Sequence, residues 1–172
     1  DHKDLAAIRT DDERFVTLND PRLEGVKAWR TGRKMYGRDV TAIVTFNQRF
    51  HDAQVQSINN EVNTALDKLG ALNAKLRDRQ LGLLTGGKCP SVESVKTQVT
   101  HILGRQHLKR LITFDVQQDQ ATNVPLLSYS FDGARYAELA DTYLGKSIIF
   151  TDNADWSDEQ IVLAYFDQYV IE

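Results

Sequence analysis

The segment VKAWRTGRKMYGRDVTAIVTFN, residues 26–47, decides how the first part of this chain folds. Its two halves, VKAWRT and DVTAIVTF, are rich in β-branched and aromatic residues, which favour strands. Gly32 and Gly37 lie between the halves, and glycine is typical of the tight turns that join antiparallel strands. The segment therefore predicts a β-hairpin with a basic tip. Its cations are Lys27, Arg30, Arg33, Lys34 and Arg38.

These five cations have two interpretations. A row of Lys and Arg side chains can follow a DNA backbone while Trp29 or Tyr36 stacks on a base. Alternatively, the charges are only solvated, and they keep an edge strand from pairing with other chains. The residues by themselves leave both interpretations open.

After the hairpin, the hydrophobic period changes to that of a helix. Apolar residues follow one another at alternating steps of three and four, which is the spacing of a heptad seam. We therefore predict one long helix from residue 48 to about 80. A Gly-rich loop ends it, a second helix follows at 91–103, and the two should pair as an antiparallel helical hairpin. The seam residues are Val55, Ile58, Val62, Ala65, Leu69, Leu72 and Leu76.

The regular seam also has two interpretations. It can pair with the same seam of a second chain, which would make a homodimer through a coiled coil. It can instead pack against the second helix of the same chain. The second interpretation is favoured because residues 91–103 are close in sequence and carry their own apolar face.

The remaining elements alternate between strand and helix patterns. Strands are predicted for FVTLND at 15–20, for 107–119 and for 125–132, and a short helix is predicted for 133–145. The segment KSIIFTD, residues 146–152, has a continuous apolar centre, so we expect a strand buried on both faces.

These patterns place the chain in the mixed α+β class. We predict three consecutive parts. A β-rich front part with the basic hairpin covers residues 1–47, and the helical hairpin covers 48–103. The C-terminal part covers 104–172.

Composition narrows the functional class. The chain has 172 residues, 41% of them hydrophobic and 26% charged, which is typical of a globular protein. Its net charge of −3 argues against binding nucleic acid or a membrane through overall charge. No apolar run approaches the ~20 residues that span a bilayer, so no membrane association is expected. Cys89 is the only cysteine, which suits a reducing compartment, and we expect a cytoplasmic location.

The last helix has a well-specified start. Ser157 and Gln160 have the spacing of a capping box, and Trp156 and Ile161 have that of a hydrophobic staple. Further along, Tyr165, Gln168 and Glu172 are three and four residues apart, which places them on one helix face. No Gly, Asn or basic last turn ends this helix, and residue 1 is not Met. We therefore expect the chain to be a piece of a longer protein.

The passage GKSIIFTDNADWSDEQIVLAYFDQYVIE resembles the C-terminal catalytic segment of bacterial insertion-sequence transposases of the DDE type. A helix in the RNase H-like core of those enzymes carries the signature Tyr, two residues, Arg, three residues, Glu, six residues, Lys. Tyr165 and Glu172 match its Tyr and Glu, whereas Gln168 stands in the place of Arg. The hairpin and long helix are similar to an insertion that interrupts this core in one branch of the family.

The resemblance implies the chemistry. Two Asp and one Glu in these enzymes hold two Mg²⁺ or Mn²⁺ ions that drive DNA strand cleavage and transfer at transposon ends. Glu172 would be the catalytic Glu and a metal ligand, with Tyr165 and Gln168 as DNA contacts. Residues 104–172 would belong to the RNase H-like core. Both aspartates would lie outside this chain, so the fragment alone should hold no metal and be inactive.

The alternative belongs to another class of protein. Glu172 is then a solvated residue, Tyr165 is a core aromatic, and the helical hairpin makes the chain a non-catalytic protein–protein interaction module.

Overall fold

The structure is a computed structural model that describes residues 3–168. The helices are α1 (Lys3–Ala6), α2 (Gln48–Gln80), α3 (Val92–Ile102), α4 (Leu108–Leu111), α5 (Gly133–Thr142) and α6 (Asp158–Gln168), with a short 3-10 helix at Pro21–Leu23. The strands are β1 (Val16–Thr17), β2 (Val26–Met35), β3 (Arg38–Asn47), β4 (Ile112–Gln118), β5 (Pro125–Phe131) and β6 (Lys146–Thr151). The sheets are antiparallel, and the predicted α+β class is confirmed.

The chain forms two compact units. The first contains the residues up to Val55 together with those from Ala137 onward, and the second contains Gln56–Tyr136. The sequence suggested three consecutive parts instead. The difference arises because β6 returns to pair with β3, so that segments far apart in sequence share one sheet.

The first unit is built on a four-stranded sheet in the order β1-β2-β3-β6. The predicted hairpin is confirmed, since β2 and β3 pair from Val26↔Asn47 to Met35↔Arg38. Tyr36 and Gly37 form the two-residue turn with φ values of 50° and 78°. Two positive φ angles are the mark of a type I′ turn, whose twist matches that of the strands. For a Tyr this conformation costs about 1 kcal/mol.

Both faces of this sheet carry an apolar cluster. We call the face covered by α6 the helix face; it contains Val26, Ala28, Ile43 and Ile149, with Ile161 and Val162 of α6 packed on them. The opposite face contains Trp29, Ala42, Val44, Ile148 and Phe150, with Leu5 and Ile8 packed on them. The strand β6 therefore contributes to both clusters, as its apolar centre predicted. It is half-buried apart from Ile149, because it is an edge strand.

The second unit contains most of α2, with α3, α4 and the β4–β5 hairpin. The seam of α2 packs inside the chain: Ile58, Val62, Ala65, Leu69 and Leu76 are buried. Arg105, just past α3, lies 4.0 Å from Glu61 in the first half of α2, so α3 runs back along α2. Residues 108–111 form a helical turn, and the prediction of a strand from residue 107 was wrong there. The amides of Arg110 and Leu111 bond to the His107 carbonyl, which delays the strand to Ile112.

None of the helices within residues 3–168 is both long enough and apolar enough to cross a membrane.

Gly145 sets the start of β6. Its φ is +74°, and a Cβ there would lie 2.5 Å from the His51 Cβ and 3.0 Å from the Asn47 carbonyl oxygen. Its amide donates to the Gln54 Oε1 at 2.7 Å, and its carbonyl accepts from the Asn47 amide at 2.9 Å. The turn before β6 therefore has no room for a side chain.

We expect Gly145→Ala to lower the free energy of unfolding by about 2–4 kcal/mol, because it adds both backbone strain and a steric clash. Gly32→Ala is the matched control, since Gly32 has an ordinary φ and open space around its Cα. Urea unfolding of both variants measures the difference. Equal stabilities would contradict the close approach at residue 145.

Lys146 at the start of β6 forms hydrogen bonds to the end of α1 and the residues after it. Its Nζ donates to the carbonyls of Ala6 and Ile8, and burial lowers the pKa of the ammonium to about 8, against a smaller opposing effect of the Asp12 charge. The unfolded chain keeps the ordinary lysine pKa near 10.5, so it binds more protons between these two values.

The free energy of unfolding should therefore rise with pH from about 8 to 10 more steeply for the wild type than for Lys146→Met, which cannot titrate. Urea unfolding at several pH values tests this. Parallel curves for the two proteins would show that Lys146 titrates normally in the folded state.

Candidate functional site

The turn from β6 into α6 is fixed by local hydrogen bonds. The Ser157 amide donates to the Gln160 side-chain oxygen at 2.9 Å, and the Gln160 amide donates to the Ser157 hydroxyl at 3.2 Å. These two bonds are the predicted capping box. Before it, the Asn153 amide donates to the Thr151 hydroxyl at 3.0 Å. The start of α6 is therefore held in register with the end of β6.

Arg30 on β2 fastens this turn to the sheet. Its guanidinium donates to the Trp156 carbonyl at 2.8 Å, to the Asp158 carboxylate at 3.0 Å and to the Ala154 carbonyl at 2.5 Å. Its side chain is about one-third exposed, so these bonds are partly shielded from water. The sequence offered Arg30 as a DNA contact, but the structure uses its donors to position α6.

Tyr165 and Gln168 line one groove beside β6. The groove has a volume of about 230 Å³ and includes Thr151, Asn153 and Ile161 in its walls. This arrangement agrees with the prediction that Tyr165 and Gln168 share one helix face. The ring of Tyr165 also packs against the helix-face cluster, next to Phe166 at 5.9 Å between ring centroids. Tyr165 is therefore both a core aromatic and a groove-lining residue.

Glu172, predicted as the catalytic residue and metal ligand, lies outside the described residues. Within residues 3–168, no group of three or more His, Cys, Asp or Glu side chains is placed to hold a metal ion. The described part of the chain therefore does not supply the donor set of a complete Mg²⁺ site by itself.

The five cations of the hairpin are divided between the two faces of the sheet. Side chains alternate along a strand, so Arg30 and Lys34 point to the helix face, while Lys27 and Arg33 point to the opposite face. Arg38 is paired with Met35 and shares the face of Arg33. The five side chains do not form a single surface.

The five cations also differ in their partners. Arg30 is held as described, and Arg33 donates to the Asp4 carboxylate at 2.5 Å. Lys27, Lys34 and Arg38 are exposed and have no ion pair with any residue in the described range. Of the five hairpin residues predicted to contact DNA, these three have a charge that no ion pair within the described residues neutralises.

The two aromatic residues proposed to stack on bases have different surroundings. Trp29 packs in the opposite-face cluster, with the Arg14 guanidinium 4.5 Å from its ring centroid. Arg14 also donates to Asp12 and, with its backbone amide, holds the pKa of that carboxyl at about 2. Tyr36 at the turn is 99% exposed. Only Tyr36 is open to a ligand.

The partners of Arg30 were missed by the sequence reasoning. Asp158 was present as an acidic residue in the first turn of a helix, but nothing in the sequence paired it with an arginine 128 residues away. The distribution of the five cations over the two faces of the sheet could, however, have been predicted from the sequence. A two-residue turn at 36–37 fixes the hairpin register, and the register fixes which side chains share a face.

Comparison of the chain with protein-family models, with curated proteins and with solved structures gives no match.

Replacing Arg30 by Ala should lower the free energy of unfolding by about 1.5–3 kcal/mol, because it leaves the Asp158 carboxylate and two carbonyls without their donor. Arg49→Ala is the control. Arg49 forms an exposed ion pair with Glu24 at 3.8 Å, and its loss should change stability by less than about 0.5 kcal/mol. Urea unfolding compares the two. If Arg30→Ala lowers the free energy of unfolding as little as Arg49→Ala does, Arg30 does not stabilise the turn between β6 and α6.

Proposed function

We propose that this chain is part of a DDE-type transposase that cleaves and joins DNA strands at transposon ends. The observation that carries the proposal is the β6–α6 unit. A strand paired into a sheet leads through a fixed turn into a capped helix, and Tyr165 and Gln168 of that helix line one groove. Together with the spacing to Glu172, this is the arrangement that the resemblance to the transposase segment requires.

Under this proposal each residue has a role. Glu172 is the third carboxylate ligand, beside two aspartates from outside residues 1–172. The metals, Mg²⁺ or Mn²⁺, would activate the attacking oxygen and stabilise the leaving oxygen at the phosphodiester. Gln168 contacts a phosphate through its amide, more weakly than an arginine would. Tyr165, which lines the groove, contacts DNA.

The DNA partner is the transposon end, and a cytoplasmic location is consistent with Cys89, an exposed cysteine that has no disulfide. A homodimer would need a surface other than the α2 seam. Five of the seven seam residues are buried within the chain, so they are not available for an intermolecular coiled coil.

A second candidate function is the protein–protein interaction module. It is favoured by one observation, the exposure of Leu81, Leu83 and Leu84 in the loop after α2. Exposed apolar side chains close together are typical of interaction surfaces. This function needs no carboxylate at residue 172, which separates it from the first.

The test is Glu172→Gln in the full-length protein that contains this chain, assayed for Mg²⁺-dependent cleavage of transposon-end DNA. Because a metal ligand supplies several kcal/mol of transition-state stabilisation, we expect at least about a hundredfold loss of rate with DNA binding retained.

Glu138→Gln is the control, since Glu138 is exposed on α5 and its change removes the same charge. It should leave the rate unchanged. If Glu172→Gln cleaves DNA as well as the wild type does, the transposase proposal fails and the interaction module becomes the better account.

A further inference from the structure

The β2–β3 hairpin extends beyond the strands on either side of it. On one side β1 pairs only with Lys27 and Ala28, and on the other β6 pairs only with Thr41–Phe46. The pairs Arg33↔Val40, Lys34↔Asp39 and Met35↔Arg38 have no third strand. We call residues 33–40 the ribbon tip. Three residue pairs extend roughly 10 Å, so the ribbon tip is a two-stranded arm projecting from the sheet.

Tyr36, in the turn of the ribbon tip, is a residue type that this kind of turn disfavours. Type I′ turns prefer Asn, Asp or Gly at the position of Tyr36, because its φ must be positive. Tyr36 is 99% exposed and has no ring contact with a described residue, so packing does not offset the strain of its backbone. An unfavourable, fully exposed aromatic residue at the end of an arm points to a ligand rather than to folding.

The charges of the ribbon tip define the ligand. Its three cations, Arg33, Lys34 and Arg38, outnumber its one acid, Asp39, which lies opposite Lys34. Asp4 neutralises Arg33, which leaves Lys34 and Arg38 on opposite faces of the arm, one on each side of Tyr36. Such an arm carries one cation on each side and an aromatic ring at its end, and because Asp39 lies beside Lys34 the net positive charge is on the face of Arg38. It suits a groove with an anionic wall on each side.

The geometry points to the major groove of duplex DNA. That groove is about 12 Å wide and admits a two-stranded β-ribbon. Proteins that bind the minor groove, about 6 Å wide, frequently insert an apolar wedge between base steps, whereas the ribbon tip ends in Gly37 and the hydroxyl-bearing Tyr36. The major groove of duplex RNA is too narrow for protein elements. We infer that the ribbon tip enters the DNA major groove, where Lys34 and Arg38 contact the phosphates of the two strands and Tyr36 contacts base edges. The choice of DNA rests on the proposed function.

The first experiment measures binding of the 172-residue chain to a fluorescently labelled DNA duplex by anisotropy at low salt. Tyr36→Asn should weaken binding about five- to fiftyfold because the ring that contacts base edges is lost, and Tyr36→Phe, which keeps the ring, should bind like the wild type. The urea midpoint of Tyr36→Asn should be unchanged or higher, because Asn suits the turn better. A merely structural tyrosine would give the reverse pattern, a lower midpoint and unchanged binding.

The second experiment tests the charges. The double variant Lys34→Gln/Arg38→Gln should bind more weakly, and the slope of log affinity against log salt should fall in magnitude by about two. The matched control is Lys68→Gln/Lys75→Gln. It removes two exposed charges of α2 that have no ion pair in the described range, and it should leave affinity and slope unchanged.

The third experiment identifies the groove. A minor-groove ligand such as netropsin should not displace the chain, and duplex DNA carrying glucosylated hydroxymethylcytosine, which fills the major groove, should bind at least tenfold more weakly than plain duplex. Displacement by netropsin, equal binding of duplex RNA, or no binding of duplex DNA would overturn the inference. Preference for an acidic protein over DNA would overturn it too. None of these results bears on Glu172, whose variant tests the transposase proposal separately.

Discussion

The pairing of β6 with β3 is the constraint on which the first unit depends. Six residue pairs, from Thr41↔Thr151 to Phe46↔Lys146, join segments about one hundred residues apart in the chain. This pairing brings α6 onto the sheet and lets Ile149 and Ile161 share a core with the hairpin. It also brings Asp158 within reach of Arg30. Without it the turn before α6 would have no anchor, and the α6 groove would have lost one of its walls.

The elements that the sequence predicted well are those determined by near neighbours. The hairpin follows from β-branched residues and a turn glycine, and α2 follows from its heptad seam, which is buried as an intramolecular interface should be. The capping box of α6 involves two residues three apart. In each case the residues that determine the element are close together in the sequence, so their spacing could be read directly.

The features that the sequence did not predict depend on contacts between residues that are far apart in the sequence. The edge position of β6 and the use of Arg30 as an anchor both require knowledge of which strands are neighbours. The helical turn at 108–111 depends on backbone bonds to His107 that compete with a strand pattern. For the site, the shared face of Tyr165 and Gln168 was predictable. The sequence could not show which hairpin cations lack an ion-pair partner, because that depends on the positions of Asp4 and Asp158.

The first unit requires that β6 lies antiparallel beside β3, with Ile43 opposite Ile149. Nuclear Overhauser effects between backbone protons of the two strands measure this directly in a labelled chain. We predict cross-strand contacts connecting Ile43 with Ile149 and Val44 with Ile148. Contacts displaced by one residue would turn Ile149 away from α6, and that result, or the absence of any contact between the strands, would contradict the account.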